Sequence, residues 1–181
     1  MLLFRTDCSK QREADMDSLM AVLADYNAAA NRDLAKALGA IPEAERARDR
    51  GSYYKSLDGL LSHIAGGELF SLRNLAAALP GKPALAEPLI KTEMKPGCPV
   101  FPGYEASKNA IAAFDAALVA LAGSLTEAEL AVTADVHGSS QSVSRMLSSA
   151  FAHAAHHRGQ VAQVLDEMGI QNDFFMAGIR G

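Results

Sequence analysis

The sequence predicts an all-α protein: a four-helix bundle in up-down-down-up order, with a long crossover between helices two and three. Three observations carry this. Apolar residues recur at steps of three and four through four long stretches, the mark of amphipathic helices. Most of the seven prolines fall between Pro80 and Tyr104, between the second stretch and the third. Tryptophan is absent and alanine abundant, and small side chains let helices approach closely. At 181 residues the chain is long enough to build a real core, and we take residues 1–181 as a single domain.

Residues up to about Ser9 read as an irregular arm. Helix one is expected from about Lys10 to Leu38, burying Met16, Leu19, Leu23, Tyr26, Ala30, Leu34 and Leu38, with Gly39 and Pro42 ending it. The charged segment Glu43 to Gly51 reads as a solvated turn without chemistry. Ser52 is a natural N-cap for helix two, about Tyr53 to Leu79. Its core stripe is Leu57, Leu60, Leu61, Ile64, Leu72 and Leu75, and Pro80-Gly81 closes it.

Residues 80–104 then form a long connection with room for a short helix between Leu85 and Met94. A structureless loop of this length is unusual in a compact domain unless it has a task. A helix of 25 residues is nearly 40 Å long by its rise per residue, roughly a dozen residues of extended chain. The connection can therefore run back along the bundle and set helix three parallel to helix two. Helix three is expected from about Glu105 to Ala122, with Ile111, Phe114, Leu118, Leu121 and Leu125 inward. Thr126 to Glu129 has the form of a capping box, and Ala131 to His137 reads as extended. Helix four follows Ser139, Ser140 and Ser142, which offer capping oxygens. It buries Val143, Met146, Leu147, Ala150, Phe151, Ala154, Val161, Val164, Leu165 and Met168, and stops at Gly169. Phe174, Phe175 and Met176 are expected to pack back onto it.

The composition excludes several classes. The net charge is −4 with a pI near 5.7 and no basic patch stands out, which disfavours nucleic acid. No apolar run is long enough to cross a bilayer. The opening Met1 to Arg5 does not read as a signal peptide. Cys8 and Cys98 are far apart and form no C-x-x-C pair, so we expect two reduced thiols in a cytoplasmic protein.

Chemistry enters at Phe151 to Val161. His153 and His157 are four residues apart, so on a helix they lie one above the other, while His156 points to the wetter side. Two imidazoles so placed can grip one ion, as in the H-E-x-x-H zinc motif. A working zinc site generally has three protein ligands and an open position. The candidates for the third are His63, His137, His156, Glu68 and Asp135. His63 is the best, since it flanks the buried stripe of helix two. Gly66 and Gly67 clear space beside it. Gly159 leaves a gap in helix four where another backbone can come close. Glu68 on the apolar side needs a partner: it either orients a ligating imidazole or makes a structural hydrogen bond. Gln160 is either a partner of a ligand or an exposed polar residue. No residue stands out as a catalytic base, and neither cysteine is placed as a nucleophile.

Two motifs, Ser52 to Glu68 read as S-x(10)-H-I-x(3)-E and His153 to Gln160 read as H-x(3)-H-R-G-Q, together with Tyr26-Asn27 and Asn31 on helix one, resemble the DinB/YfiT-like family. The resemblance covers most of the chain. It implies the same up-down-down-up bundle, with metal-ligand positions falling on His63, His153 and His157. It also implies a divalent ion, zinc or nickel, and a homodimer. For function it implies a metal-dependent enzyme that transfers a low-molecular-weight thiol such as bacillithiol or mycothiol, or a related isomerase or hydrolase. The partners would then be a small thiol and a small electrophile. Some relatives carry a carboxylate at a helix-four ligand position where this chain has His153. Two alternatives stay open: a non-catalytic metal-binding bundle with a stress-response or structural role, and a plain bundle with hydrogen-bonded histidines.

Overall fold

The computed structural model describes residues 8–82, 89–95 and 98–178. The described residues are mostly helical with one small hairpin. The order is α1 (Cys8–Gly39), α2 (Glu43–Ala47), α3 (Leu57–Ala78), a 3-10 turn at Leu89–Lys91, α4 (Gly103–Ala122) and α5 (Glu127–Leu130). Then follow β1 (Thr133–Val136), β2 (Ser139–Ser142), α6 (Val143–Glu167) and a last 3-10 turn at Met176–Gly178. The four long helices pack α3 on α4 and α6, and α1 on α4 and α6.

The apolar stripes of α3, α4 and α6 are buried as the periodicity requires, apart from Val164 and Met168, which are half-buried. Leu57, Leu61, Ile64, Phe114, Leu147 and Leu165 are wholly inaccessible. The stripe of α1 differs from expectation. Its buried positions are Met20, Ala24, Asn27, Ala28, Asn31 and, as expected, Ala30, Leu34 and Leu38, while Leu19 is 47% exposed and Leu23 and Tyr26 are half-buried. The side chains of Cys8 and Met16 lie outside the described residues. The physical reason is that two asparagines occupy the inward face. They serve a polar cluster described below, so an apolar pattern misjudges the phase by one residue as far as Tyr26, and agrees with the buried face from Ala30 on.

Helix α3 also starts later than expected. Its cap is Ser56, whose hydroxyl accepts from the backbone N–H of Gly59 at 3.1 Å, not Ser52. Tyr53 and Tyr54 therefore belong to the preceding turn, in which Lys55 adopts a left-handed φ of 68°. The charged segment is less solvated than its composition suggests. Arg46 pairs with Asp58 at 3.2 Å, donates to the carbonyls of Leu38 and Ile41, and lies over the ring of Tyr104.

The connection returns along α3. Arg73 donates to the carbonyls of Ile90 and Thr92, and the backbone N–H of Phe101 meets the Ser62 hydroxyl at 3.3 Å, about three turns nearer the start of α3. The capping box at Thr126 and Glu129 is formed.

Beyond it the expected extended segment is half of a hairpin. Residues 139–142, expected only as a lead-in, form β2, antiparallel to β1 with Val136 opposite Ser139. His137 and Gly138 both have positive φ, 52° and 81°, as a two-residue hairpin turn of this twist demands. Histidine is costly in that region, and its ring stacks on Phe70 of α3 at 5.4 Å. Ser142 caps α6 by accepting from the N–H of Arg145. Gly169, with φ 71°, ends it. Phe174 is buried, Met176 half-buried and Phe175 exposed.

Candidate metal centre

Helix α6 is amphipathic, and its phase places His157 inward with only 5% exposure, His153 half-buried at the edge and His156 outside. His63 projects from α3 toward the same place. One ring nitrogen from each of His63, His153 and His157 lies within 4.8 Å of the others. The Nε2 atoms of His63 and His153 are 3.0 Å apart. Two nitrogens bound to one tetrahedral ion at about 2.0–2.1 Å lie about 3.3 Å from each other. The donor set therefore fits a divalent ion in both chemistry and spacing.

Two neighbours hold this arrangement. Gly67 lies one helical turn after His63, and a Cβ there would sit 2.2 Å from Cε1 of His153. The missing side chain is what admits the His153 ring against α3. Gly66 faces Val100, and a Cβ on Gly159 would meet nothing within 4 Å, so among the described residues no backbone approaches at that gap. Gln160 Oε1 lies 2.7 Å from Nδ1 of His157. An amide oxygen can only accept, so Nδ1 carries the proton and Nε2 keeps its lone pair. Gln160 thus supports the imidazole rather than merely facing solvent.

The electrostatics keep the imidazoles neutral. Burial lowers the pKa of His153 to about 4, with His157, His63 and His156 adding repulsion. Burial, then the charge of His157, lowers that of His63. Burial also lowers that of His157, against the raising effect of Gln160. Three imidazoles that resist protonation present free lone pairs at neutral pH.

A fourth group reaches the site that helical periodicity did not identify. The hydroxyl of Tyr54 is 3.0 Å from Nε2 of His63. Its ring stacks on His63 with centroids 4.1 Å apart and meets His157 edge-on at 5.3 Å. Burial, with Tyr53 beside it, pushes the phenol pKa up. The sequence signal was there: an aromatic pair one residue before a Ser56-x-x-Gly59 cap, with Tyr54 nine residues ahead of His63.

The remaining candidates lie elsewhere. His137 stacks on Phe70, His156 is exposed, and Asp135 accepts from the N–H of Gly138. Cys98 is a free, exposed thiol. Glu68 is buried in a polar cluster that draws on all four long helices. Arg158 Nη1 donates to Oδ1 of Asn27 and of Asn31, both at 2.7 Å. The Nδ2 groups of the two asparagines donate to Glu68 and Asp115, with the shortest contacts at 2.9 Å. This is the structural alternative for Glu68. Burial, and then Asp115, raises its pKa well above the carboxylate range, while burial raises Asp115 to about 6.

A family model describing the DinB family matches residues 13–176. The chain belongs to the DinB family. No curated protein and no solved structure matches it. The DinB match runs from within α1 to the start of the last 3-10 turn, and so takes in His63, His153, His157 and the polar cluster alike. Among the described residues of this DinB protein, no helix is long and apolar enough to cross a membrane.

Proposed function

We propose that this DinB protein is a metal-dependent enzyme of the thiol S-transferase, isomerase or hydrolase type, with His63, His153 and His157 holding zinc or nickel. The observation that carries the reading is the convergence of three imidazole nitrogens within 4.8 Å, with no carboxylate among them. When bound, a divalent ion supplies charge that lowers the pKa of a small thiol or water, so that it is deprotonated at neutral pH. The chain's own residues supply the rest. The imidazoles contribute no charge, which leaves the ion's full charge for the nucleophile. Gln160 fixes the tautomer of His157, and Gly67 fixes the place of His153. In the transfer, the sulfur forms a bond to an electrophilic carbon, a leaving group departs with its electron pair, and the thiol proton passes to solvent.

The return of the connection from Arg73 to Ser62 supports an up-down-down-up bundle of α1, α3, α4 and α6. A homodimer in the cytoplasm, acting on a small thiol and a small electrophile, completes the reading. The test is metal analysis of untagged protein, followed by turnover of bacillithiol or mycothiol with an electrophile. Stoichiometric zinc or nickel with metal-dependent turnover is the expected result. A bound ion without turnover would assign a stress-response or structural role instead, and protein free of metal would overturn the site.

A further inference from the structure

We infer that Tyr54 handles the ligand at this centre: its phenol hydroxyl donates a hydrogen bond to the thiolate or hydroxide held in the ion's remaining coordination position. This rests on the three-imidazole metal site proposed above.

Several features place this phenol. The turn before α3 is built around the Tyr54 backbone. Ser56 N–H donates to the Tyr54 carbonyl at 2.8 Å, Lys55 N–H to Ser52 at 3.0 Å, and Arg50 N–H to Lys55 at 2.7 Å. Lys55 accepts a left-handed φ of 68°, an uncommon conformation for a side-chain-bearing residue. A Cβ on Gly59 would lie 2.0 Å from the Tyr54 carbonyl oxygen, so only glycine lets the turn close on the helix. A strained residue, a tight glycine contact and three hydrogen bonds thus fix one tyrosine. Tyr53, its neighbour, is 89% exposed, while Tyr54 stacks on the face of His63 and meets His157 edge-on.

The chemistry follows from the lone pair of His63 Nε2. That one pair can accept from the Tyr54 hydroxyl or bind an ion, not both. Once the ion takes it, the hydroxyl becomes a donor beside the ion without its partner. The acceptor it then meets is the anion that the ion carries besides the imidazoles. A hydrogen bond to a charged group is stronger than one between neutral partners.

The experiment uses cobalt(II) in the full-length protein and 2-mercaptoethanol as the probe, read by the cobalt absorption bands and the thiolate-to-metal charge-transfer band. The wild type should bind one cobalt and then the thiol. Tyr54→Phe keeps the ring stack, so it should take up cobalt as the wild type does yet bind 2-mercaptoethanol about ten-fold more weakly, the scale of one lost bond to a charged acceptor. Gly59→Ala, which displaces the turn but keeps the phenol, should show the same loss, and Tyr53→Phe should show none. Equal thiol affinity in Tyr54→Phe and wild type would overturn the proposal. So would loss of cobalt itself from Tyr54→Phe, which would make the phenol a ligand of the ion. Failure of the wild type to bind cobalt would instead sink the metal site first, before any variant is compared.

Discussion

Gly67 of α3 and His153 of α6 are packed so closely that a single added methyl on the glycine would fall 2.2 Å from the imidazole Cε1. Alanine is about 1 kcal/mol better than glycine inside a helix, so on propensity alone Gly67→Ala should stabilise α3. The contact predicts the opposite for the site: the ring of His153 must swing away. We expect metal affinity to fall by about ten-fold or more, the scale on which displaced ligand geometry is felt. Isothermal titration with zinc would measure it. Unchanged affinity would mean that the ring is not seated there in solution.

The phase of α6 makes the adjacent histidines unequal. His157→Ala should abolish stoichiometric metal, whereas His156→Ala should leave it intact, since His156 is exposed. Gln160→Leu should fall between the two, with affinity about 10- to 100-fold lower through loss of the bond to Nδ1. Metal content of the three purified variants is the measurement.

The depressed histidines set the acid limit of the site. Protons compete with metal only below each folded-state pKa, and that of His153 is near 4. The pKa values of His63 and His157 are lowered too, so retention of the ion should extend below pH 6.5, the ordinary histidine value. For the metal-free protein, a lowered pKa means stability that is present above about pH 6.5 and lost as pH falls toward 4, because the unfolded chain takes up protons first. Replacing His153 by Gln should flatten that part of the stability curve, as read by urea titration at several pH values.

The buried carboxylates act in the other direction. The pKa of Asp115 is raised by burial from 3.8 to about 6. A raised acid contributes stability that is complete below the unfolded value and disappears as pH climbs through about 6. The penalty at neutral pH is on the order of 3 kcal/mol for a shift of this size. Asp115→Asn should therefore gain on the wild type as pH rises from 4 to 7, whatever its constant offset from altered hydrogen bonds. A stability difference independent of pH would show that Asp115 stays ionised throughout.

Much of this was readable from the chain. Spacing alone placed His153 and His157 together and excluded His156, because a helix imposes one angle per residue. Burial along α3, α4 and nearly all of α6 followed apolar periodicity for the same reason. The misses have a common cause. Asn27 and Asn31 are polar yet buried, so the rule that apolar residues face inward shifted the expected stripe of α1. Ser56 and Ser52 are both competent caps, and only the close contact at Gly59 decides between them. With the wrong cap, Tyr54 was absorbed into a helix and its approach to His63 was hidden. The hairpin was half seen because Ser139 to Ser142 has no alternating apolar pattern.

The knot of Arg158, Asn27, Asn31, Glu68 and Asp115 has a bearing on how the protein can change. Turning any one long helix by a single residue would swing its member of the knot through about 100° and strand buried charge. The knot thus works as an indexing pin for the four rods, and Arg158 shares its rod, and adjoins in sequence, His157. The orientation of the imidazoles is thus anchored from inside the core as well as by Gly67 and Gln160 at the site itself. Residues that touch neither the imidazoles nor the knot are therefore the ones that can change without turning a rod.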